Sequence, residues 1–236
     1  MNEEAPMRVS RTVLAVLISL MLVATGCTKQ VTGIAQVGPE PGQATITKDG
    51  FGIHVGLDDA PVQVELYTEP QCSHCADLQA DFGGQLAYYI GIGQLAVTYR
   101  PLTFLDQLPD GHSAHVANAM FVAATPGGAE GTDGTPARAF QRFVEDLWAH
   151  QDLGGRGPSD DEMADMAKKA GIPSAQVKAI ASGASGVNTK DMNDTNFEFL
   201  FEIDQVSTGT PTVYDLKKDE KLDIYDNDWL STLMAS

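Results

Sequence analysis

The sequence predicts an α/β fold in which a block of helices falls between two β-bearing stretches. Three observations predict it. A β-rich run, "PVQVELY" (61–67), stops just before "CSHC" (72–75), where a helical pattern begins. Amphipathic segments then fill most of the chain from residue 112 to residue 205. After them, "TPTVYDL" (210–216) and "KLDIYD" (221–226) return to β character.

Taken in order, "ATITKDGFGIHVG" (44–56) reads as a hairpin, two short β-rich runs around Asp49-Gly50. In the next run Val62, Val64 and Leu66 alternate onto one face. From Cys72, the residues Cys75, Leu78, Phe82, Leu86 and Tyr89 form a helical stripe, in which Gly83-Gly84 should cause weakening or a kink. "LAVTYRPLTFL" (95–105) is again strand-like. "HSAH" (112–115) starts a helix, its two histidines read as exposed or capping. The Gly- and Pro-rich "TPGGAEGTDGTP" (125–136) is a surface loop.

Phe140, Phe143, Val144, Leu147 and Trp148 fit the i, i+3, i+4, i+7, i+8 helical template. "SDDE" (159–162) is a capping box ahead of Met163, Met166 and Ala167. Val177, Ile180 and Ala181 mark another helix, and "NTKD" (188–191) caps one carrying Met192, Phe199, Leu200 and Ile203. The charged turn "KKDE" (217–220) joins the last two β runs. "NDWLSTLMA" then closes the chain as a short helix capped by Asn227 or Asp228.

The 236 residues carry a net charge of −17, which argues against nucleic acid or an anionic membrane surface as partner. At the N-terminus, Arg8 and Arg11 precede the apolar "TVLAVLISLMLVA" and then "TGC", the pattern of a secretory signal over residues 1–26. The apolar run is shorter than the roughly 20 residues of a membrane-spanning helix. "VATGC" resembles a bacterial lipobox, with Ala24 where Leu is usual, and makes Cys27 the candidate lipidation site. Ordinary cleavage near Cys27 and an uncleaved anchor are the alternatives. All three place the protein outside the cytoplasm, lipid-anchored at the outer face of the cell membrane or secreted. Residues 27–43 are polar, Gly- and Pro-bearing and aperiodic, a flexible tether.

Of three cysteines, a lipidated Cys27 leaves one pair, Cys72 and Cys75. A strand that ends in Cys-x-x-Cys at a helix start suits thiol exchange. The first cysteine lies beside unpaired amides and the positive end of the helix dipole, which favours its thiolate, the nucleophilic form. His74 adds a donor or positive charge beside it.

"DDAPVQVELYTEPQCSHC", with "VTYRPLTFLDQ" and "STGTPTVYDL", resembles the DsbA-like branch of the thioredoxin superfamily, in particular secreted or membrane-anchored actinobacterial members. The resemblance spans about residues 51–234. It implies a thioredoxin-like fold with a large inserted helical domain, the former over 44–111 and 206–236, the latter over 112–205. "CSHC" shares its His with the Cys-Pro-His-Cys of that branch, with Ser73 replacing Pro. The resemblance further implies that "GTPT" is the loop facing the cysteines, with Pro211 cis and the Thr210 backbone pairing with a substrate strand. Pro211 lies 139 positions after Cys72, room for the inserted helices.

The implied activity is that of an extracytoplasmic thiol–disulfide oxidoreductase, acting as an oxidase. It needs no cofactor and no metal. Its partners are exported proteins with reduced or mispaired cysteines and a membrane recycling partner. The upstream segment is too short for an isomerase dimerisation domain, which implies a monomer. One departure stands out: Leu66 occupies the position, six before the first Cys, where the family carries a buried acid. Glu69 is the candidate substitute proton acceptor, though its charge would oppose a low Cys72 pKa. Three rival readings remain open. These are a zinc site using Cys72, Cys75, His74 and His112 or His115, a purely structural disulfide, and a binding or scaffold lipoprotein that keeps the fold.

Overall fold

The computed structural model describes residues 42–108, 110–127 and 134–236, all within one unit, residues 39–236. The signal-like segment, Cys27, nearly all of the tether and half of the loop at 125–136 lie outside them.

Six strands form one mixed sheet in the order β1-β2-β4-β3-β5-β6: β1 Gln43–Ile46, β2 Ile53–Gly56, β3 Val62–Thr68, β4 Leu95–Pro101, β5 Thr212–Asp215 and β6 Glu220–Lys221. Only β3 and β4 are parallel, joined through helix α1, Ser73–Gly91; every other pairing is antiparallel. A parallel pair needs such a crossover and ends up covered on both faces. Accordingly all seven residues of β4 are buried.

Between β4 and β5 run α2 (His112–Ala124), α3 (Ala137–Ala149), α4 (Asp160–Ala170), α5 (Ser174–Ala181) and α6 (Thr189–Ile203); α7 (Trp229–Met234) closes the chain. In α3, Phe140, Phe143, Val144, Leu147 and Trp148 are at most 2% exposed, so the apolar stripe read from the sequence is the face turned inward. Each such side chain contributes about 1.5–3 kcal/mol on burial. The capping box of α4 is present, with Ser159 Oγ accepting from the Glu162 amide and Glu162 Oε2 from the Ser159 amide. Gly171 ends the helix in the left-handed conformation, φ 97°. Asn188 caps α6 by accepting from the Asp191 amide at 3.2 Å.

The main core lies on the sheet face that presents Val64 and Leu66. On the other face, α6 buries Leu200 against Tyr67 and Leu102, and Asn196 Nδ2 donates to the carbonyls of Phe51 and Pro101. Arg100 is held there between Asp49 (2.7 Å) and Glu65 (2.9 Å), with the Phe199 ring 5.0 Å from its guanidinium carbon.

Several expectations change. α1 runs unbroken through Gly83-Gly84. A Cβ at Gly83 would stand 2.6 Å from Glu145 Cγ, so this glycine serves the close approach of α3. Gln141 on α3 is fully buried there, bonded to the Tyr99 hydroxyl, to Gln79 Oε1 at 2.9 Å and to the Gly83 carbonyl. "KLDIYD" forms a strand only at Lys221; the Leu222 amide still donates to the Val213 carbonyl of β5 at 2.9 Å, and Asp223 to Asp226 leave the sheet. Asp228 precedes α7 without a side-chain capping bond. His112 is buried, 5% exposed, its Nδ1 donating to the Asp152 carbonyl, while His115 pairs with Asp160 at 2.8 Å.

Candidate active site

β3 ends at Thr68, and the turn Glu69-Pro70-Gln71 carries the chain into α1 with Cys72 at the N-cap. Pro70 cannot donate to a sheet ladder, so the strand stops there. The Cys72 amide closes the turn onto the Glu69 carbonyl at 3.0 Å, and the Cys72 carbonyl accepts from Cys75 and Ala76 at 3.1 and 3.2 Å. Both cysteines are free thiols; Cys72 is half-buried and Cys75 is 1% exposed.

The second wall comes from the far end of the chain. Antiparallel pairing sets Tyr67 against Thr212, so the residues just before β5 lie beside the end of β3. The Thr210–Pro211 peptide is cis, and the Cys72 thiol donates to the Thr210 carbonyl at 3.2 Å.

The two sulfurs differ in proton affinity. The Cys75 thiol donates to Cys72 and, against the opposing effect of burial, holds it down at about 5; the Thr210 side chain and the amides of Cys75 and His74 act in the same direction. Burial pushes the Cys75 thiol well up, and its bond to Cys72 adds to that. A dithiol divided in this way presents one nucleophile at neutral pH and keeps the other sulfur protonated. His74 contributes through its amide; its ring is exposed, with Nδ1 3.6 Å from Asp77 Oδ2.

Leu66 is buried in the core, and Glu65 lies on the opposite face with Arg100. The acid near the cysteines is Glu69, fully buried. Burial raises its carboxyl to about 7, against the hydroxyl of Ser113 and the Gln71 amide, which donates to Oε2 at 2.6 Å. Cys72, Cys75, Glu69, Thr210 and Pro211 thus converge, whereas the His74 ring points to Asp77. Among the described residues, no group of three or more His, Cys, Asp or Glu is placed to hold a metal ion.

Other residues at the site carried no signal in the sequence. Gln151, just after α3, donates to the Pro70 carbonyl at 2.6 Å and the Cys72 carbonyl at 2.9 Å. Gln71 Nε2 donates to Asp106 (2.8 Å) and Ser113 (3.1 Å). Tyr225, 76% exposed, stands between two clefts that meet at Pro211. The larger, about 360 Å³, runs along Thr210, Lys221 and Asp204; the smaller, about 200 Å³, along His74, Asp77 and Phe82. Only tertiary structure brings Gln151, Asp106, Ser113 and Tyr225 to the cysteines, so no local motif could have found them.

A family model described as thioredoxin matches residues 48–214. Serine/threonine-protein kinase PknE of Mycobacterium tuberculosis is 25% identical over 185 residues, 78% of this chain and 31% of that protein. The chain therefore spans about a third of the length of the curated relatives it matches. Among solved structures, MdbA, a thiol-disulfide oxidoreductase from Corynebacterium matruchotii, is similar with a TM-score of 0.66 and 21% identity, over 83% of this chain and 92% of that one. DsbA from Mycobacterium tuberculosis, in its reduced form, gives 0.56 and 20%, over 78% and 91%. At these identities the likeness is one of fold, a DsbA-type arrangement with helices inserted between β4 and β5.

Proposed function

Because the chain belongs to the thioredoxin family, we propose that it is an extracytoplasmic thiol–disulfide oxidoreductase, exchanging disulfides with exported proteins through Cys72 and Cys75. The observation that carries this reading is the division of the pair, a low-pKa sulfur at the helix start beside a buried, protonated one, facing the cis Thr210–Pro211 peptide.

The direction is oxidation. With the pair as a disulfide, a client thiolate attacks Cys72 Sγ, the Cys72–Cys75 bond breaks, and Cys75 departs with the electron pair and takes up a proton. A second client thiolate then attacks the client sulfur of the mixed disulfide, and Cys72 leaves as its stable thiolate. Two client thiols are oxidised and the cysteine pair is reduced. A low Cys72 pKa favours this departure and makes the disulfide a stronger oxidant. A membrane redox partner restores the disulfide.

Glu69 exchanges the Cys75 proton in place of the acid missing at Leu66, while the His74 amide supports the Cys72 thiolate. An extended client segment pairs with the Thr210 backbone beside Pro211; main-chain bonding of this kind keeps sequence selectivity loose. The signal-like N-terminus and Cys27 put this monomer outside the cytoplasm, lipid-anchored to the membrane face; no helix among the described residues is long and apolar enough to cross a membrane.

Equilibration with glutathione tests the reading. A potential of about −120 mV marks an oxidase, whereas about −270 mV would make the protein a reductase. Oxidation of a reduced test protein by Cys72→Ala at the wild-type rate would sink the proposal altogether.

A further inference from the structure

The turn that delivers Cys72 is fastened to the start of α2. Ser113, fully buried in the first turn of that helix, donates its hydroxyl to Glu69 Oε1 and accepts from Gln71 Nε2 at 3.1 Å. Ser113 is fixed in turn by Asp106, whose carboxylate accepts the amides of Ser113 and Ala114, each at 2.8 Å, and Gln71 Nε2 at 2.8 Å. The Asp106 contacts leave the Ser113 hydroxyl aimed at Glu69, and neither Glu69 nor Ser113 exposes any surface to competing water.

The groups facing Glu69 divide by effect. Asp106 from the loop after β4 and Cys72 from the start of α1 carry negative charge and favour the neutral acid. Ser113 from α2 and the Gln71 amide donate to the carboxylate and favour the charged form. The Cys75 thiol bonds to the Glu69 backbone, so the thiol that must gain or lose a proton adjoins the same residue.

We propose that Ser113 is a positioning residue for disulfide exchange, its hydroxyl holding Glu69 as the carboxylate that receives the Cys75 proton. The inserted helical domain thereby governs proton transfer at the cysteine pair. The proposal rests on the reading of Glu69 as proton acceptor given above. In a mixed disulfide on Cys72, Glu69 takes the Cys75 proton and the Cys75 sulfur bonds to Cys72 Sγ. The bond from Cys72 to the departing sulfur breaks, and the electron pair leaves on that sulfur, which is protonated from solvent. Client oxidation begins with the reverse of this step.

Stopped-flow mixing of the reduced full-length protein with oxidised glutathione separates formation of the Cys72 mixed disulfide from its resolution by Cys75. In the wild type, resolution accelerates with pH about a midpoint near 7, where Glu69 titrates. Ser113→Ala shifts that midpoint upward and slows resolution about tenfold below it, the scale of a lost hydrogen bond to a charged group. Formation of the mixed disulfide is unchanged, and Ser113→Thr restores the midpoint. If Ser113→Ala is too unstable in plain buffer, both proteins are compared in sucrose, which favours the folded state without replacing the missing hydroxyl. A folded variant lacking the hydroxyl with an unmoved midpoint overturns the assignment of Ser113, provided Glu69→Gln abolishes the acceleration. If Glu69→Gln leaves the wild-type profile intact, the reading of Glu69 itself fails.

Discussion

The Cys72 thiol donates to the Thr210 carbonyl at 3.2 Å across 138 positions of chain. The β3–β5 register brings the two together, and nothing local in either segment does. Ionising Cys72 removes the donor and frees that carbonyl to accept from the amide of a bound strand. In the disulfide that a client meets, Cys72 likewise has no proton to donate, so that oxygen is open to the docking strand.

Cys72 in the reduced protein is expected to titrate near pH 5 rather than near 9, seen as the rise in thiolate ultraviolet absorbance. Its folded-state pKa lies below the unfolded one, so the unfolded chain binds more protons between the two values. Its contribution to stability is then present in full above pH 9 and lost as pH falls through 5. The thermal midpoint of the reduced protein should rise relative to Cys72→Ser over that interval. A flat difference would contradict the environment described for Cys72.

Glu69 has the opposite sign. Its carboxyl is raised to about 7, so the folded state binds the extra proton, and its contribution is complete below about 4.5 and lost as pH rises through 7. With both proteins in the disulfide form, the wild type should lose stability relative to Glu69→Gln across that range. Urea midpoints at several pH values check this.

Gln151 is expected to hold the cysteine turn in place. Gln151→Ala leaves the Pro70 and Cys72 carbonyls without these donors and should cost about 1–3 kcal/mol in denaturant unfolding. Amide hydrogen exchange should quicken at residues 71–76 more than at β4. Uniform protection in the variant would show that the contact is dispensable.

Tyr225 offers a separable effect on clients. It is 76% exposed, so Tyr225→Ala should change stability by no more than about 0.5 kcal/mol. Loss of its ring contact with a bound strand should raise KM for a cysteine-containing peptide about three- to tenfold. Exchange with dithiothreitol, which does not fill the clefts, should keep its rate.

Local rules carried much of this molecule. The strand before Cys72, the α3 stripe, the Ser159–Glu162 box and the Asn188 cap all follow from spacings of a few residues. Pro211 was legible only through the family resemblance of "GTPT"; the near confinement of cis peptides to proline made that reading permissible. Gly83 was misread as a weak point because its reason lies on another helix, at Glu145. His112 looked exposed because nothing nearby announces the loop at Asp152 that covers it. Ser113 and Gln151 carry no periodicity or motif of their own; their partners near Cys72 lie about 40 and 80 positions away. "KLDIYD" alternates like a strand, but Ile224 and Tyr225 instead line the clefts beside Pro211.

The buried contacts among Tyr99, Gln141, Gln79 and Gly83 have a consequence for the orientation of α1. Advancing that helix by a single residue would rotate it by about 100°. Gln79 would swing away from Gln141, and the stranded polar groups would cost about 1–3 kcal/mol each. Cys72 stands at the same helix's N-cap, roughly two turns from Gln79. The compass bearing of the reactive sulfur is therefore set in the interior, by an amide that no client can reach.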